Sequence, residues 1–351
     1  MRAMSGDEAR SGAPRHGGAD RSPAGFPRAG TRVVVRHRLP SPDPRTGARL
    51  TDAVGDLVAV RDDALVVATR RGEVSVPRSA VEVVREVPPR PSRRGAPHRA
   101  LSVEDLERVM VGAWPAMETA RLGDWLLRAS RGFTNRANSA MTAGSPGRPL
   151  AAAVDEVERW YAERGLPANL SVAGPVGFEV SRDPVGDELL RRGYRPRVVT
   201  RTLTAATDDV VTSTSAGPAD VALRTSEALE DAWLAAYRGY REVDEVAARA
   251  VLTGSPAQDL VTATADDGSV VGIGRLGVAS AWGGVAAMWV APRARRRGVA
   301  SAVLGALAGR ARARGIRSLH LQTDTDNPAA LALYARHGFT PHHDYVNIHR
   351  P

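Results

Sequence analysis

Short runs of β-branched residues, separated by turn signals, occupy residues 31–87. The separators are Asp62-Asp63, Arg71-Gly72 and Pro77, and such residues at close spacing are typical of hairpins. The pattern predicts a small SH3-like β-barrel of about five strands. The apolar runs that predict its strands are 33–35, 54–60, 65–69, 74–76 and 81–84.

After residue 100 the pattern changes to helical segments that interleave with strands. An α/β (α+β) fold follows, with helices flanking a mixed, mostly antiparallel sheet. Helices are predicted at 151–164, 184–192, 229–240, 299–314 and 328–337, and strands at 125–129, 169–172, 260–265, 270–277, 285–290 and 318–323.

Three segments lack a periodic pattern of apolar residues that could form part of a core. Residues 1–30 are rich in Gly, Pro, Arg and Asp without an apolar stretch, which predicts a disordered tail and no secretory signal. Residues 88–99, rich in Pro and Arg, and residues 205–219, rich in Thr, Ser, Ala and Asp, are predicted to be linkers. The remaining chain then divides into domains at 100–204 and 220–351.

Composition narrows the function classes. All 48 basic residues among the 351 are arginine, and the formal charge of +9 attracts anions over a long range. The arginines are spread along the chain without a nucleic-acid-reading motif, so nucleic acid is an unlikely partner. With no cysteine, disulfides and thiolate metal sites are excluded.

The longest uncharged run, 276–292, is too short and too rich in glycine to span a membrane. It predicts two buried strands joined by a turn. We therefore expect a cytoplasmic protein with no membrane partner.

The segment Arg295-Arg296-Arg297-Gly298-Val299-Ala300 lies between a predicted strand and a predicted helix. Small residues at 298 and 300 let a ligand approach the backbone, and free N–H groups at a helix start attract an anion. An elongated diphosphate fits such a turn.

A second pattern begins at Asn327 and runs through Tyr334 to Gly338-Phe339. Asn327 is a good N-cap, Pro328 suits the first helical position, and Gly338 suits the left-handed position after the helix. In order and spacing, both patterns resemble the acyl-CoA-binding signatures of GNAT-superfamily acyltransferases. The resemblance implies a GNAT fold, acetyl-CoA as cosubstrate and transfer of an acetyl group to an amine acceptor.

Site residues follow from this resemblance. Tyr334 is the implied catalytic residue, which gives a proton to the departing CoA sulfur. Tyr237, Tyr240 and Arg241 fall in the region that lines the acceptor pocket, although packing explains the tyrosines equally well. The implied cofactor-binding residues are Met288, Trp289, Val290, Arg295, Arg296, Arg297, Gly298, Val299, Ala300, Ser301, Asn327 and Tyr334.

The general base is less defined, because the strand at 285–290 carries no carboxylate. A water relay is expected to remove the amine proton. The acidic alternatives are Asp324, Asp326, Glu242 and Asp244.

No metal is expected. His342 and His343 are adjacent, which should place them on opposite faces of a strand, and no acidic or cysteine partner has ligand spacing.

The chain also resembles itself. Arg164-Gly165-Leu166 parallels Arg314-Gly315-Ile316, and Arg192-Gly193-Tyr194 parallels His337-Gly338-Phe339. In the upstream copy Arg148 and Pro149 replace Gly298 and Val299, and Leu189 takes the place of Tyr334. A degenerate GNAT half followed by an intact one is therefore predicted, as in tandem GNAT proteins of actinobacteria.

Two function classes remain open at this point. One is an N-acetyltransferase that acts on a small molecule, a peptide or a protein amine. The other is a scaffold without turnover, which senses acetyl-CoA or docks protein or nucleic acid through the SH3-like module. An intact Asn327 and Tyr334 favour catalysis.

Overall fold

A computed structural model describes residues 27, 31–43, 47–69, 72–86, 97–214 and 217–351. It divides into two compact units, Met1–Arg90 and Pro91–Pro351. Nearly all of the predicted tail, and most of the linker predicted at 88–99, lie outside the described residues.

The first unit is a five-stranded antiparallel sheet in the order β4-β3-β2-β1-β5. Alternate residues point inward, and the small β-barrel predicted for this region is confirmed. Its core consists of Val33, Val35, Ala53, Leu57, Leu65, Val67 and Val76. The strands are β1 (Arg32–Arg38), β2 (Leu50–Val60), β3 (Ala64–Thr69), β4 (Gly72–Pro77) and β5 (Val81–Glu86).

The second unit combines eight helices with one twelve-stranded sheet in its described residues. The helices are α1 (Val103–Met110), α2 (Leu150–Ala162), α3 (Pro184–Arg191), α4 (Thr207–Ser213), α5 (Asp231–Arg238), α6 (Glu245–Thr253), α7 (Val299–Ala313) and α8 (Pro328–Arg336). The strands are β6 (Glu118–Leu122), β7 (Trp125–Ala129), β8 (Ala140–Met141), β9 (Asn169–Gly174), β10 (Arg195–Pro196), β11 (Thr200–Ala206), β12 (Val221–Ser226), β13 (Ala257–Ala265), β14 (Val270–Ala279), β15 (Trp282–Val290), β16 (Ser318–Asp324) and β17 (Thr340–His349).

The two halves of this unit exchange strands. The main path of the sheet runs β12-β13-β14-β15-β16-β11-β17-β9-β8-β7-β6, and β10 pairs with β17. The upstream strand β11 therefore lies between β16 and β17, while the last strand, β17, pairs with β9 of the upstream half. Each half is completed by backbone hydrogen bonds to the other.

This exchange differs from the predicted separation into a domain at 100–204, a linker at 205–219 and a domain at 220–351. Part of the predicted linker is helix α4, which packs on α7 and buries Val210. The N–H of Thr207 also donates to the carbonyl oxygen of Arg317 at 3.0 Å. The linker prediction was wrong for α4 because two adjacent valines are enough to anchor an otherwise polar segment.

The internal repeat is visible in the hydrogen bonds that end matching helices. In α2 the carbonyl of Tyr161 accepts from the N–H of Leu166, as that of Ala311 in α7 accepts from Ile316, both at 3.0 Å. In α3 and α8 the accepting carbonyls belong to Leu189 and Tyr334. The upstream half thus has the helix ends of a GNAT half, with leucine in place of the tyrosine.

Helices cover both faces of the downstream sheet. On one face α7 lies close to β14, where a Cβ at Gly274 would come within 2.6 Å of a methyl group of Val303. On the other face α5 and α6 pack with Trp114 and Phe133, which come from the upstream half. The sheet between α7 and α5 is where the candidate site opens.

A buried guanidinium ties the halves together on that second face. Arg275 is fully buried, and it donates to the carbonyl oxygens of Leu252 and Ala113, each at 2.7 Å, and to Oγ of Ser255 at 2.8 Å. Because these acceptors are neutral, the charge has hydrogen bonds but no counterion.

The strand exchange predicts that both halves unfold together. Leu203 on β11 packs in the downstream core, and Ile348 on β17 packs in the upstream core. Leu203→Ala and Ile348→Ala should each cost about 2–5 kcal/mol and shift one common transition. Urea unfolding followed by tryptophan fluorescence checks this, since all six tryptophans lie in the second unit. Exposed Val198→Ala is the matched control, and two separate transitions would contradict the exchange.

Acid should weaken this unit, because burial lowers the pKa of His320 to about 3. The imidazole stays neutral when folded but protonates when unfolded near ~6.5. Its stabilisation is therefore complete above ~6.5 and declines at lower pH, by up to ~1.4 kcal/mol per pH unit. His320→Asn should flatten the dependence of the unfolding free energy on pH, measured by urea titrations between pH 7 and 4.5. Equal slopes in the parent, in H320N and in the first-unit control His37→Asn would contradict this assignment.

Candidate active site

The site begins where two parallel strands separate. The pairing of β15 with β16 ends at Val285 and Leu321. Beyond it β16 stays paired with β11, whereas β15 forms a β-bulge against β14, with Ala287 at φ +53°. A wedge opens between the strands, and backbone groups of β15 beyond Val285 are free of β16. Met288, Trp289 and Val290, predicted to contact the cofactor, lie on this side of the wedge.

The predicted diphosphate turn lies at the start of α7. Gly298 is the N-cap at φ +88°, and Arg296 also has a left-handed φ of +64°. The first intrahelical bond runs from the N–H of Ala302 to the carbonyl of Gly298, so the preceding N–H groups have no acceptor within the helix. Those N–H groups belong to Gly298, Val299, Ala300 and Ser301. With the helix dipole behind them, they form a ready anion site.

The three arginines of this turn differ in their partners. Arg297 forms an ion pair with Asp220 at 2.6 Å, and Nε of Arg295 donates to the carbonyl of Val290 at 3.2 Å. Arg296 is exposed and forms no ion pair with a described residue. It is therefore the arginine of the turn whose side chain has neither an ion pair nor a hydrogen bond to a described residue.

The first turn of α7 is held by a histidine that sequence reasoning missed. Oγ of Ser301 lies 2.7 Å from Nε2 of His337, and Nδ1 of His337 lies 3.2 Å from Oγ of Ser213. Burial lowers the pKa of His337, so the ring is neutral at physiological pH. The link fixes α7 relative to the end of α8.

Helix α8 carries Tyr334 into the wedge. Asn327 caps the helix by accepting the N–H of Ala330 at 3.1 Å, and Pro328 occupies the first helical position. Tyr334 is 7% exposed and packs edge-on against Phe339. Burial raises the pKa of Tyr334 to about 12, so the phenol keeps its proton at neutral pH.

A cavity of about 320 Å³ occupies the wedge. Tyr237, Tyr240 and Arg241 line it together with Tyr334. The ring of Tyr240 stacks on Trp289, with centroids 5.6 Å apart, and burial raises the pKa of both Tyr237 and Tyr240. The two tyrosines therefore both pack and line the cavity.

One wall of this cavity comes from the upstream half and from the exchanged strands. No local sequence signal marked these residues, because packing between the halves and the exchange of β11 and β17 bring them to the wedge. They are Trp114, Thr134, Asn135, Arg136, Thr200, Tyr345 and Asn347.

Of the acidic alternatives for a base, Asp324 lines the cavity, and one of its oxygens accepts from Oγ1 of Thr200 at 2.9 Å. Asp244 instead caps α6, where it accepts the N–H of Ala247. Asp326 and Glu242 are exposed and do not line this cavity.

The equivalent place in the upstream half also borders a cavity, of about 370 Å³, but its strand ends and helix start are bonded differently. The pairing of β8 with β9 ends at Met141 and Ser171, and there both the N–H and Oγ1 of Thr142 donate to the carbonyl of Ser171. Helix α2 has Pro149 as its N-cap, which lacks an N–H, and Leu189 is buried in the core. The upstream half therefore differs from the downstream site in lacking the N–H of the N-cap residue and the tyrosine.

His342 and His343 do not point to opposite faces as predicted. Their Nδ1 atoms lie 2.8 Å apart, and Nε2 of His343 lies 2.8 Å from Oε1 of Glu107. The reason is a β-bulge, since Thr202 pairs with His343 while Leu203 pairs with Pro341. Even so, no group of three ligands able to hold a metal ion occurs among the residues that the structure describes.

Two protein families match the chain. Residues 101–348 match the family described as probable histone acetyltransferase Rv0428c C-terminal, and residues 27–85 match the Rv0428c N-terminal Sm-like domain. The chain belongs to the Rv0428c-type family of GNAT acetyltransferases. It is thus an acyl-CoA-dependent N-acyltransferase, and its first unit is an Sm-like module of the SH3-like barrel type.

Two curated relatives of this GNAT family support the assignment. The "Probable histone acetyltransferase Rv0428c" of Mycobacterium tuberculosis is 32% identical over 333 residues, which cover 91% of this chain and 94% of that protein. The "Uncharacterized N-acetyltransferase YobR" of Bacillus subtilis is 28% identical over 244 residues, 68% of this chain and 95% of that protein.

Solved structures share the GNAT fold. A GCN5-related N-acetyltransferase from Kribbella flavida gives a TM-score of 0.53 at 16% identity, covering 71% of this chain and 95% of that one. A tandem GNAT protein from the clavulanic acid biosynthesis pathway gives 0.51 at 16% identity, covering 69% and 86%. Within the described residues, no helix is long and apolar enough to cross a membrane.

The left-handed turn at Gly298 yields a test of the anion site. Gly298→Ala forces a Cβ into φ +88°, which costs ~1 kcal/mol and should tilt the N–H groups away from a diphosphate. Calorimetric titration with CoA should then show affinity at least tenfold weaker. Gly309→Ala is the matched control on the same helix, because a Cβ there meets open space. Equal affinity in both variants would contradict this site.

Proposed function

We propose that the protein transfers an acetyl group from acetyl-CoA to a primary amine by direct attack in a ternary complex. The observation that carries the proposal is the convergence of three features. The phenol of Tyr334 lines the cavity in the wedge between β15 and β16, and β15 leads from that wedge to the helix N-terminus that suits a diphosphate. That order matches the diphosphate, pantetheine arm and sulfur of an acyl-CoA.

The backbone holds the cofactor in this proposal. The N–H groups of Gly298, Val299, Ala300 and Ser301 bind the diphosphate, while Arg296 adds a charge at the rim. The amides of Met288, Trp289 and Val290 pair with the pantetheine arm in place of a neighbouring strand. An N–H beside the bulge donates to the thioester oxygen and stabilises the oxyanion that forms.

The reaction forms a C–N bond and breaks a C–S bond. The amine nitrogen attacks the thioester carbon, and the resulting tetrahedral intermediate expels the CoA sulfur. A phenol with a pKa of about 12 is a weaker acid than a thiol at ~8.5. The Tyr334 proton therefore moves towards sulfur only as the C–S bond breaks. The proton released by the amine returns to Tyr334 through water, so the balance is acetamide plus CoA thiol.

The acceptor amine must arrive without its proton. Water filling the cavity is the proposed relay, and Asp324 at the cavity wall is the carboxylate best placed to receive the proton.

The acceptor is a primary amine of a small molecule, a peptide or a protein. A protein amine draws support from the name of the Mycobacterium tuberculosis relative, a probable histone acetyltransferase. Turnover is favoured over the sensing scaffold, because Tyr334 lines the downstream cavity, whereas the upstream half has the buried Leu189 at that position.

Tyr334→Phe should lower kcat by a factor of ~10²–10⁴, because a positioned proton donor contributes about that much. The affinity for acetyl-CoA should change little, since the aromatic ring remains. Release of CoA thiol, measured with saturating acetyl-CoA and amine, checks the first expectation, and calorimetry checks the second. Tyr194→Phe, in the upstream half, is the control and should keep full activity. A Y334F enzyme with unchanged kcat would exclude Tyr334 as the proton donor.

A further inference from the structure

Three guanidinium groups lie around the acceptor side of the cavity. The guanidinium carbons of Arg275 and Arg136 lie 5.3 and 5.6 Å from the ring centroid of Trp114. Arg241 lines the same cavity. All three cations oppose the rise that burial causes in the pKa of Tyr237, which places that ring within the field of each.

The innermost of these charges has no counterion. All hydrogen bonds that the structure gives the Arg275 side chain go to neutral oxygens. Burial and, secondarily, the charge of Arg136 lower the pKa of Arg275 to about 10. At neutral pH both groups are cations, so this part of the cavity wall carries positive charge.

Arg136 and Arg241 are unpaired in the described part of the chain, although acids are close in sequence. Their neighbours Arg131 and Arg238 form ion pairs, with Asp244 at 3.9 Å and Glu245 at 3.1 Å. Nε of Arg136 is, in addition, buried without a hydrogen-bond partner. The two guanidinium groups that line the cavity are therefore free of ion pairs to described residues.

The loop that carries Arg136 is rigid. Buried Asn138 accepts the N–H groups of Ser130 and Gly132 at 2.7 and 3.0 Å, and it donates to the carbonyls of Phe133 and Thr134 at 2.8 and 2.9 Å. Arg136 therefore stands in place before a ligand arrives, and little entropy is lost on binding.

We propose that the acceptor amine carries an anionic group, a carboxylate or a phosphate, which Arg136 and Arg241 bind while the amine faces the thioester. The inference rests on the proposed acetyl transfer and names the class of acceptor for that site. Guanidinium groups match both oxyanions in geometry and hydrogen bonding. A polycationic acceptor would meet like charges, and Asp324 is the one carboxylate among the described residues that line the cavity.

Matched acceptors test this class. Release of CoA thiol is measured at saturating acetyl-CoA with β-alanine against β-alaninamide, and with 2-aminoethyl phosphate against ethanolamine. Spermidine and a lysine-containing peptide represent cationic acceptors. We expect kcat/KM at least tenfold higher for at least one anionic member than for its neutral partner, with low values for the cationic acceptors. Which pair shows the difference distinguishes carboxylate from phosphate.

Variants assign the preference to the named residues. Arg136→Gln and Arg241→Gln should each reduce the anionic-to-neutral ratio at least fivefold, mainly through KM for the acceptor. Arg136→Lys should keep part of the ratio, because it keeps the charge. The control is Arg131→Gln in the same loop, which should leave the ratio unchanged. Thermal unfolding of each variant identifies any that are misfolded, and the lysine variant then carries the test.

Each contrary outcome has a distinct meaning. Equal or better use of neutral or cationic acceptors overturns this inference but leaves acetyl transfer standing. A loss of acetyl-CoA affinity in R136Q, measured by calorimetry, would assign the arginine to the cofactor and also overturn it. Binding of acetyl-CoA without CoA release from any acceptor removes the proposed function, and this inference with it.

Discussion

The exchange of β11 and β17 is the constraint on which the second unit depends. An inner strand of a sheet has a partner on each side, and here β11 and β17 each pair with strands of the other half. Neither half can fold its sheet to completion alone, because removing β11 leaves β16 with an open edge at the site. The degenerate half is therefore retained as a structural part of the active one, whether or not it binds any ligand.

The same exchange builds the candidate site. The separation of β15 from β16 is possible because β11 holds β16 on its far side, so β15 can turn away at its bulge without breaking the sheet. In the upstream half Thr142 instead donates two hydrogen bonds to the carbonyl of Ser171, where the pairing of β8 with β9 ends. Two halves with one fold thus differ in the hydrogen bonds made where the paired strands separate.

Short sequence patterns were enough to predict much of the fold and part of the candidate site. Gly298 and Asn327 could be recognised because helix ends depend on nearby residues, and the strands of the first unit follow from their alternating valines. The roles given to the predicted site residues stay predictions. The cavity wall formed by Trp114, Arg136 and Asn347 could not be predicted, because it depends on contacts between residues that are far apart in the sequence. The β-bulge that brings His342 to His343 also leaves no mark in the residues themselves.

The identity of the basic residues in the ion pairs described above matters for an enzyme that binds acyl thioesters. Apart from the pair of His343 with Glu107, their basic partners are guanidinium groups, which stay protonated and are poor nucleophiles at neutral pH. A reactive thioester close to these guanidinium groups does not acylate them. The arginine side chains that join the halves and line the cavity therefore do not react with acetyl-CoA. They stay unmodified through repeated turnover.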